Sequence, residues 1–151
     1  ALALPQTDKM GDAMLKLTSA AILVAMTGAA WAGADTKVLD HHVANMKSGN
    51  LEAVLSDYSP DVVIVTPAGA FSPDGVFVGS EIRKLFSVLT AKDNLPGNKT
   101  MQTKYQNAGA DTSIMQWVQN KGTPKEVSGY DVFVTRGGKV VFQTVTINAK
   151  K

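Results

Sequence analysis

The sequence predicts a single α+β domain, on three observations. Apolar residues recur at helical spacing over residues 37–58 and again over 82–89. After residue 98, every apolar run reads as a strand, and short turns separate the runs. One β-branched run, "DVVIVTP", lies between the two helical regions. Helices followed by consecutive strands favour an antiparallel meander over an alternating parallel sheet.

Each element has its own signal. In "TKVLDHHVANMKSGN", Val38, Leu39, His42, Val43 and Met46 share one helical face, and Gly49 marks the stop. Asn50 can cap a second helix with an apolar stripe of Leu51, Val54, Leu55 and Tyr58, ended by Pro60. "DVVIVTP" is a buried strand closed by Pro67. "AGAFSPDGVFVG" reads as a loop or irregular hairpin, since Pro73 and Gly75 mark a turn. Ser80 is placed to cap a third helix carrying Ile82, Leu85, Phe86 and Leu89, which Asn94, Pro96 and Gly97 close. Strands are expected at 99–108, 111–120, 126–136 and 139–148, joined at Gly109-Ala110, Lys121-Gly122 and Gly137-Gly138.

Composition narrows the function classes. At 151 residues with 44% hydrophobic and 19% charged side chains, the chain can bury a real core. A net charge of +2 and scattered lysines argue against a nucleic-acid surface. The absence of cysteine removes disulfides, thiolate zinc sites and thiol nucleophiles. The two histidines, His41 and His42, are neighbours on a helix and point roughly 100° apart, so they cannot share one metal. No metal and no cofactor are expected.

Residues 1–34 differ from the rest. "MLKLTSAAILVAMTGAAWAGA" has a lysine near its start, an apolar run from Leu17 to Met26, and two A-x-A patterns at Ala30–Ala32 and Ala32–Ala34. That layout is a secretory signal peptide, with a core helix or a membrane anchor as the other readings. "ALALPQTDK" ahead of Met10 looks like upstream sequence. The folded domain is then 35–151, periplasmic or secreted, with no membrane contact once the signal is removed.

The stretches "SGNLEAVLSDYSPDVVIVTP", "GSEIRKLF" and "DVFVTRGGKVVFQT", in that order and spacing, resemble the SnoaL-like branch of the NTF2-like superfamily, which includes ketosteroid isomerases and polyketide cyclases. The resemblance spans residues 37–148. It implies a cone: three helices packed on a curved antiparallel sheet, with a deep apolar pocket and a homodimer through the outer sheet face. It also implies a small apolar ligand and acid–base chemistry of isomerase or cyclase type. The alternative is a non-catalytic binding or dimerisation module, because one fold hosts many functions.

Asp131 raises the sharpest question. Strand alternation places it with Val127, Gly129 and Phe133 and opposite Tyr130, Val132 and Val134. The resemblance implies a pocket aspartate at this place in "DVFV", kept protonated to donate a hydrogen bond to a substrate oxyanion. Desolvation supplies the physical reason, since it raises a carboxyl pKa. Thr66 occupies the place of the isomerase base, and a hydroxyl alone is no base for a carbon-bound proton. His42 aligns with the isomerase oxyanion tyrosine and could supply a base instead. Asp131 and His42 are therefore the candidate catalytic pair, approaching from the sheet side and the helix side. The competing reading for both is structural: an aspartate in an ion pair and a satisfied core histidine, or a direct hydrogen bond between them. Tyr58, Thr66, Phe86, Met115, Trp117 and Phe133 are the candidate ligand-binding residues, each of which could equally fill the core. His41 is expected to be solvated. Asp57, Asp61, Glu81 and Asp111 sit at element ends and carry no expected chemistry.

Overall fold

A computed structural model describes residues 36–149. The signal peptide expected within residues 1–34 lies outside the described residues. The chain runs α1 (Lys37–Ser48), α2 (Leu51–Ser56), β1 (Tyr58–Val65), β2 (Val76–Val78), α3 (Ile82–Leu89), α4 (Leu95–Lys99), β3 (Gln102–Asn107), β4 (Thr112–Gln119), β5 (Val127–Arg136) and β6 (Lys139–Ile147). The six strands form one curved, unclosed sheet in the order β2-β1-β6-β5-β4-β3. The helices pack against its concave side. Among the described residues no helix is long and apolar enough to cross a membrane.

Most of the expected elements form for the expected reasons. α1 buries Val38, Leu39, His42, Val43 and Met46, the stripe its spacing defines. Gly49 ends it at φ 73°, the left-handed backbone that favours glycine, and a Cβ there would come within 2.5 Å of Leu95 Cδ2, which would have to shift. Asn50 caps α2 by accepting from the Ala53 N–H at 3.1 Å. The four late strands fall within three residues of their expected limits at each end.

Four expectations need correction. Tyr58 fits the α2 stripe by spacing, yet α2 stops at Ser56 and Tyr58 opens β1. The chain leaves the helix at Asp57, whose carbonyl accepts the Val140 N–H of β6 at 2.9 Å. Pro60 therefore lies inside β1 instead of ending a helix. The β1–β6 register breaks between Tyr58 and Val63, where the missing proline N–H interrupts no ladder. Ser80 makes no capping bond, because a 3₁₀ turn over Gly79–Glu81 leads into α3. Asn94 and Pro96 open a fourth helix instead of closing the third. Proline is tolerated there because first-turn N–H groups have no intrahelical partner. Finally, the sheet is not wholly antiparallel. β6 returns beside β1 and pairs with it in parallel, while the other neighbours are antiparallel.

One irregularity shapes everything inside the cone. The β5–β6 register shifts between Val134 and Thr135: Thr135 faces Val140, but Val134 faces Phe142 and Phe133 faces Gln143. The extra residue on β6 flips the alternation, so Gln143 becomes buried with Phe133 while Phe142 faces away.

The core is built from Leu39, Val54, Val62, Ile64, Phe86, Phe133 and Val140, each at most 1% exposed. Leu39→Ala should lower unfolding free energy in urea by about 2–5 kcal/mol. Val88→Ala, on the 53%-exposed outer side of α3, should change it by less than about 0.5 kcal/mol. Equal effects would contradict the placement of α1 against the sheet.

Candidate functional site

The helices and the concave sheet face enclose a cavity of about 250 Å³. Its walls are mostly apolar, with Met46, Leu85, Phe86, Met101 and Met115 among them, and among the described residues they include no lysine or arginine. A larger depression, about 420 Å³, lies on the outer side of β3–β5 around Lys104, Gln116 and Tyr130. It is shallow and has no buried titratable group, so the inner cavity is the candidate site.

Strand alternation brings Asp131 to the cavity wall, 6% exposed. Its two oxygens are held by two neutral donors. Trp117 Nε1–H donates to Oδ1 at 2.8 Å, and Gln143 Nε2–H donates to Oδ2 at 2.8 Å. Burial pushes the carboxyl up from 3.8 to about 7, against the pull of these two bonds.

A hydrogen-bond chain continues behind the wall. Tyr58 donates its O–H to Gln143 Oε1 at 2.6 Å, and the Tyr58 oxygen lies 3.4 Å from His42 Nδ1. His42 is 4% exposed and boxed by the edges of Tyr58, Phe86 and Phe133, with ring centroids 5.6, 5.7 and 6.0 Å away. Burial, then the neighbouring His41, pushes the His42 imidazole down to about 4. Burial, then the charges of Asp131 and Asp57, pushes the Tyr58 phenol well above its usual range. Near neutral pH, His42 and Tyr58 are therefore uncharged and Asp131 is close to half-ionised.

His42 and Asp131 both line the cavity, and neither bonds the other. They are the ends of one relay, His42–Tyr58–Gln143–Asp131. Thr66, Phe86, Met115 and Trp117 also line the cavity. Thr66 spends its hydroxyl on the Gly75 carbonyl at 3.2 Å, so it has no partner that would make it a base. Tyr58 and Phe133 do not line the cavity; they pack behind His42. His41 is not simply solvated: its Nδ1 lies 2.5 Å from Asp57 Oδ1, which is buried away from the cavity.

Gln143 is the residue that sequence reading misses. Counting outward from the Gly137-Gly138 turn without a bulge puts Phe142 inside, an acceptable answer for an apolar wall. Only the extra residue on β6 brings the amide in. The Gln119 Nε2–H bond to Asn98 Oδ1, 3.0 Å, also borders the cavity and depends on α4, which carried no recognised signal.

Gly129 makes room for the indole. It faces Trp117 across β4–β5, and a Cβ there would meet Trp117 Cζ2 at 2.6 Å and the Thr146 carbonyl oxygen at 2.0 Å. Gly129→Ala should displace Trp117, break its bond to Asp131, shift tryptophan emission to the red, and lower stability by about 1–3 kcal/mol. Unchanged emission and melting would contradict this packing.

No family model matches the chain, and no curated protein matches it in sequence. Solved structures do match. An NTF2-like protein of unknown function from Burkholderia xenovorans LB400 aligns at TM-score 0.58 and 17% identity, over 76% of this chain and 82% of that one. A SnoaL-like protein of unknown function from Burkholderia thailandensis E264 aligns at TM-score 0.57 and 16% identity, over 80% and 98%. An epoxide hydrolase/cyclase-like enzyme of pyran ring formation in the polyether salinomycin aligns at TM-score 0.57 and 15% identity, over 75% and 89%. At these identities the likeness is one of fold: the chain has an NTF2-like fold of the SnoaL-like kind.

Proposed function

We propose that the cavity binds a small, uncharged, largely apolar molecule carrying a carbonyl, and that Asp131 and His42 act on it as acid and base. The observation that carries this reading is the pairing of a titratable carboxyl and a neutral imidazole on the walls of a cavity that no lysine or arginine of the described residues lines. An anionic ligand would meet Asp131 with nothing to offset the repulsion. The volume suits a single substituted ring.

The chemistry follows from the two protonation states. His42 Nε2 takes a proton from the carbon beside the carbonyl. The C–H pair becomes a C=C bond, the carbonyl π pair moves to oxygen, and that oxygen takes the proton of Asp131. The site then holds an imidazolium and a carboxylate, an opposite pair of charges where it held two uncharged groups. Return of the two protons, one of them to a different carbon, completes an isomerisation. The epoxide hydrolase/cyclase-like neighbour supports chemistry of this general kind on the fold. A second reading, binding without catalysis, is favoured by Thr66, whose committed hydroxyl stands where an isomerase has its base.

Deuterium exchange at the α-carbon of cyclohexenone, followed by proton NMR, separates the two. Acid–base function requires exchange above buffer, lost in His42→Ala and reduced about 10²-fold or more in Asp131→Asn. Shift perturbation of cavity methyl groups without exchange would support the binding reading. Neither effect would overturn both.

Stability should report the same two groups. The Asp131 carboxyl, raised from 3.8 to about 7, keeps a proton that the unfolded chain has released. Its contribution to stability therefore falls as pH rises through that window. The His42 imidazole, lowered from 6.5 to about 4, lacks a proton that the unfolded chain binds. Its contribution falls as pH drops through that range. The slopes oppose each other, so the parent should be nearly flat over the overlap. Asp131→Asn should gain stability with rising pH and exceed the parent above neutrality by roughly 2–4 kcal/mol. His42→Leu should lose stability as pH rises. Parallel profiles for all three proteins would contradict the burial of both groups.

The domain boundary at 35, export and dimerisation belong to the same proposal. The Leu17–Met26 run and the A-x-A patterns support cleavage of a signal and a periplasmic or secreted protein. Intact mass after expression with an export pathway tests both: cleavage near Ala32–Ala34 is expected. A homodimer through the outer sheet face is supported by exposed Tyr130 at the centre of that face, and sedimentation at micromolar concentration tests it.

A further inference from the structure

The donor and acceptor inventory of the relay has one consistent solution when Asp131 is ionised. The Trp117 indole can only donate, and a carboxylate can only accept. With Trp117 on Oδ1, Oδ2 needs a donor, so Gln143 must turn its Nε2 to Asp131. That leaves Gln143 Oε1, an acceptor only, facing Tyr58. Tyr58 must therefore commit its O–H to Gln143, and its oxygen has only lone pairs left for the second ring partner. That partner is His42 Nδ1, 3.4 Å away. An uncharged imidazole meeting a lone pair at Nδ1 carries its hydrogen there, and the other nitrogen, Nε2, is then unprotonated.

We propose that Tyr58 and Gln143 are positioning residues that hold His42 as its Nδ1–H tautomer and leave the Nε2 lone pair free for the cavity that His42 lines. The setting is transmitted from Trp117 and Asp131 on the sheet, through the side chains of Gln143 and Tyr58, to a helix residue that hydrogen-bonds neither. It explains why a tyrosine and a glutamine that lack catalytic positions of their own are buried with their polar ends bonded. It also gives the bulge on β6 a purpose at the site: without the shift, Phe142 would replace Gln143 and the relay would be cut. The same inventory predicts a reversal. In Asp131→Asn, the amide oxygen must face Trp117, so its Nδ2–H₂ faces Gln143. Gln143 then turns over to accept, its Nε2–H donates to the Tyr58 oxygen, and the Tyr58 O–H is released to donate to His42 Nδ1. His42 then carries its hydrogen on Nε2.

The consequence for chemistry rests on the acid–base reading above, in which Asp131 is protonated; a carboxyl that turns its O–H to the cavity still accepts from Trp117 and Gln143, so the same tautomer serves that form. The tautomer itself can be measured with no ligand present. Long-range ¹H–¹⁵N correlation on the histidine-labelled full chain identifies which ring nitrogen is protonated. The parent at a pH above the Asp131 transition should show a pyrrole-type Nδ1 and a pyridine-type Nε2 for His42. Asp131→Asn and Gln143→Leu should both exchange the two assignments, since each frees the Tyr58 O–H to donate to Nδ1. Tyr58→Phe should give a mixture, because neither nitrogen is then favoured. A parent with Nε2–H would overturn the proposal without any variant. So would folded Asp131→Asn and Gln143→Leu proteins that keep the parental assignment. The assignment and the acid–base reading fail separately: a parental Nδ1–H tautomer in a protein inert towards cyclohexenone would remove the function and leave the relay.

Discussion

The buried carboxylate of Asp131 is the constraint on which the interior depends. It lies in an apolar cavity with no cation among the described residues to neutralise it, so its charge must be met by hydrogen bonds or removed by protonation. Two N–H donors meet it, one on each oxygen. Both are neutral and both lower its pKa, yet desolvation outweighs them and leaves the carboxyl near neutrality. Every neighbouring requirement follows. Trp117 needs Gly129 beneath it, Gln143 needs the β6 bulge, and Tyr58 needs to sit on a strand where its hydroxyl reaches Gln143.

How far this was legible in the sequence depends on which pattern carries each residue. Period-two alternation in "GYDVFV" is enough to place Asp131 with Gly129 and Phe133, and a helical stripe is enough to place His42. The Gly49–Asn50 junction is equally readable, because left-handed backbone and capping each have a residue preference. Gln143 is not readable, since one bulged residue inverts the alternation and bulges have no dependable local signal. Tyr58 is misread because its spacing from Leu51, Val54 and Leu55 suits a helix, while a tertiary bond from Asp57 to Val140 ends that helix early. The parallel pairing of β1 with β6 joins segments that lie far apart in the chain, and no local pattern announces it.

Fold and function separate at Thr66. The architecture shared with NTF2-like and SnoaL-like structures supplies a cone and a cavity, but not a base at the end of β1. The two titratable cavity residues, Asp131 and His42, are shifted in opposite directions by the same cause, burial, which favours the uncharged form of each. The uncharged forms of a carboxyl and an imidazole are an acid and a base, so desolvation alone arms the pair. In the proposed chemistry the lowered imidazole is a weak base, so that reading requires a substrate whose proton is already activated by the carbonyl.

The protonation state of the Asp131 carboxyl can be read directly. Carboxyl-carbon NMR on aspartate-labelled protein, titrated from about pH 4 to about pH 9, follows this group through its transition. The expected result is a single Asp131 transition near 7, with the Trp117 indole and Gln143 amide resonances moving at the same midpoint. An Asp131 transition in the ordinary carboxylate range would contradict the burial of this carboxyl among apolar walls and, with it, the acid half of the proposed chemistry.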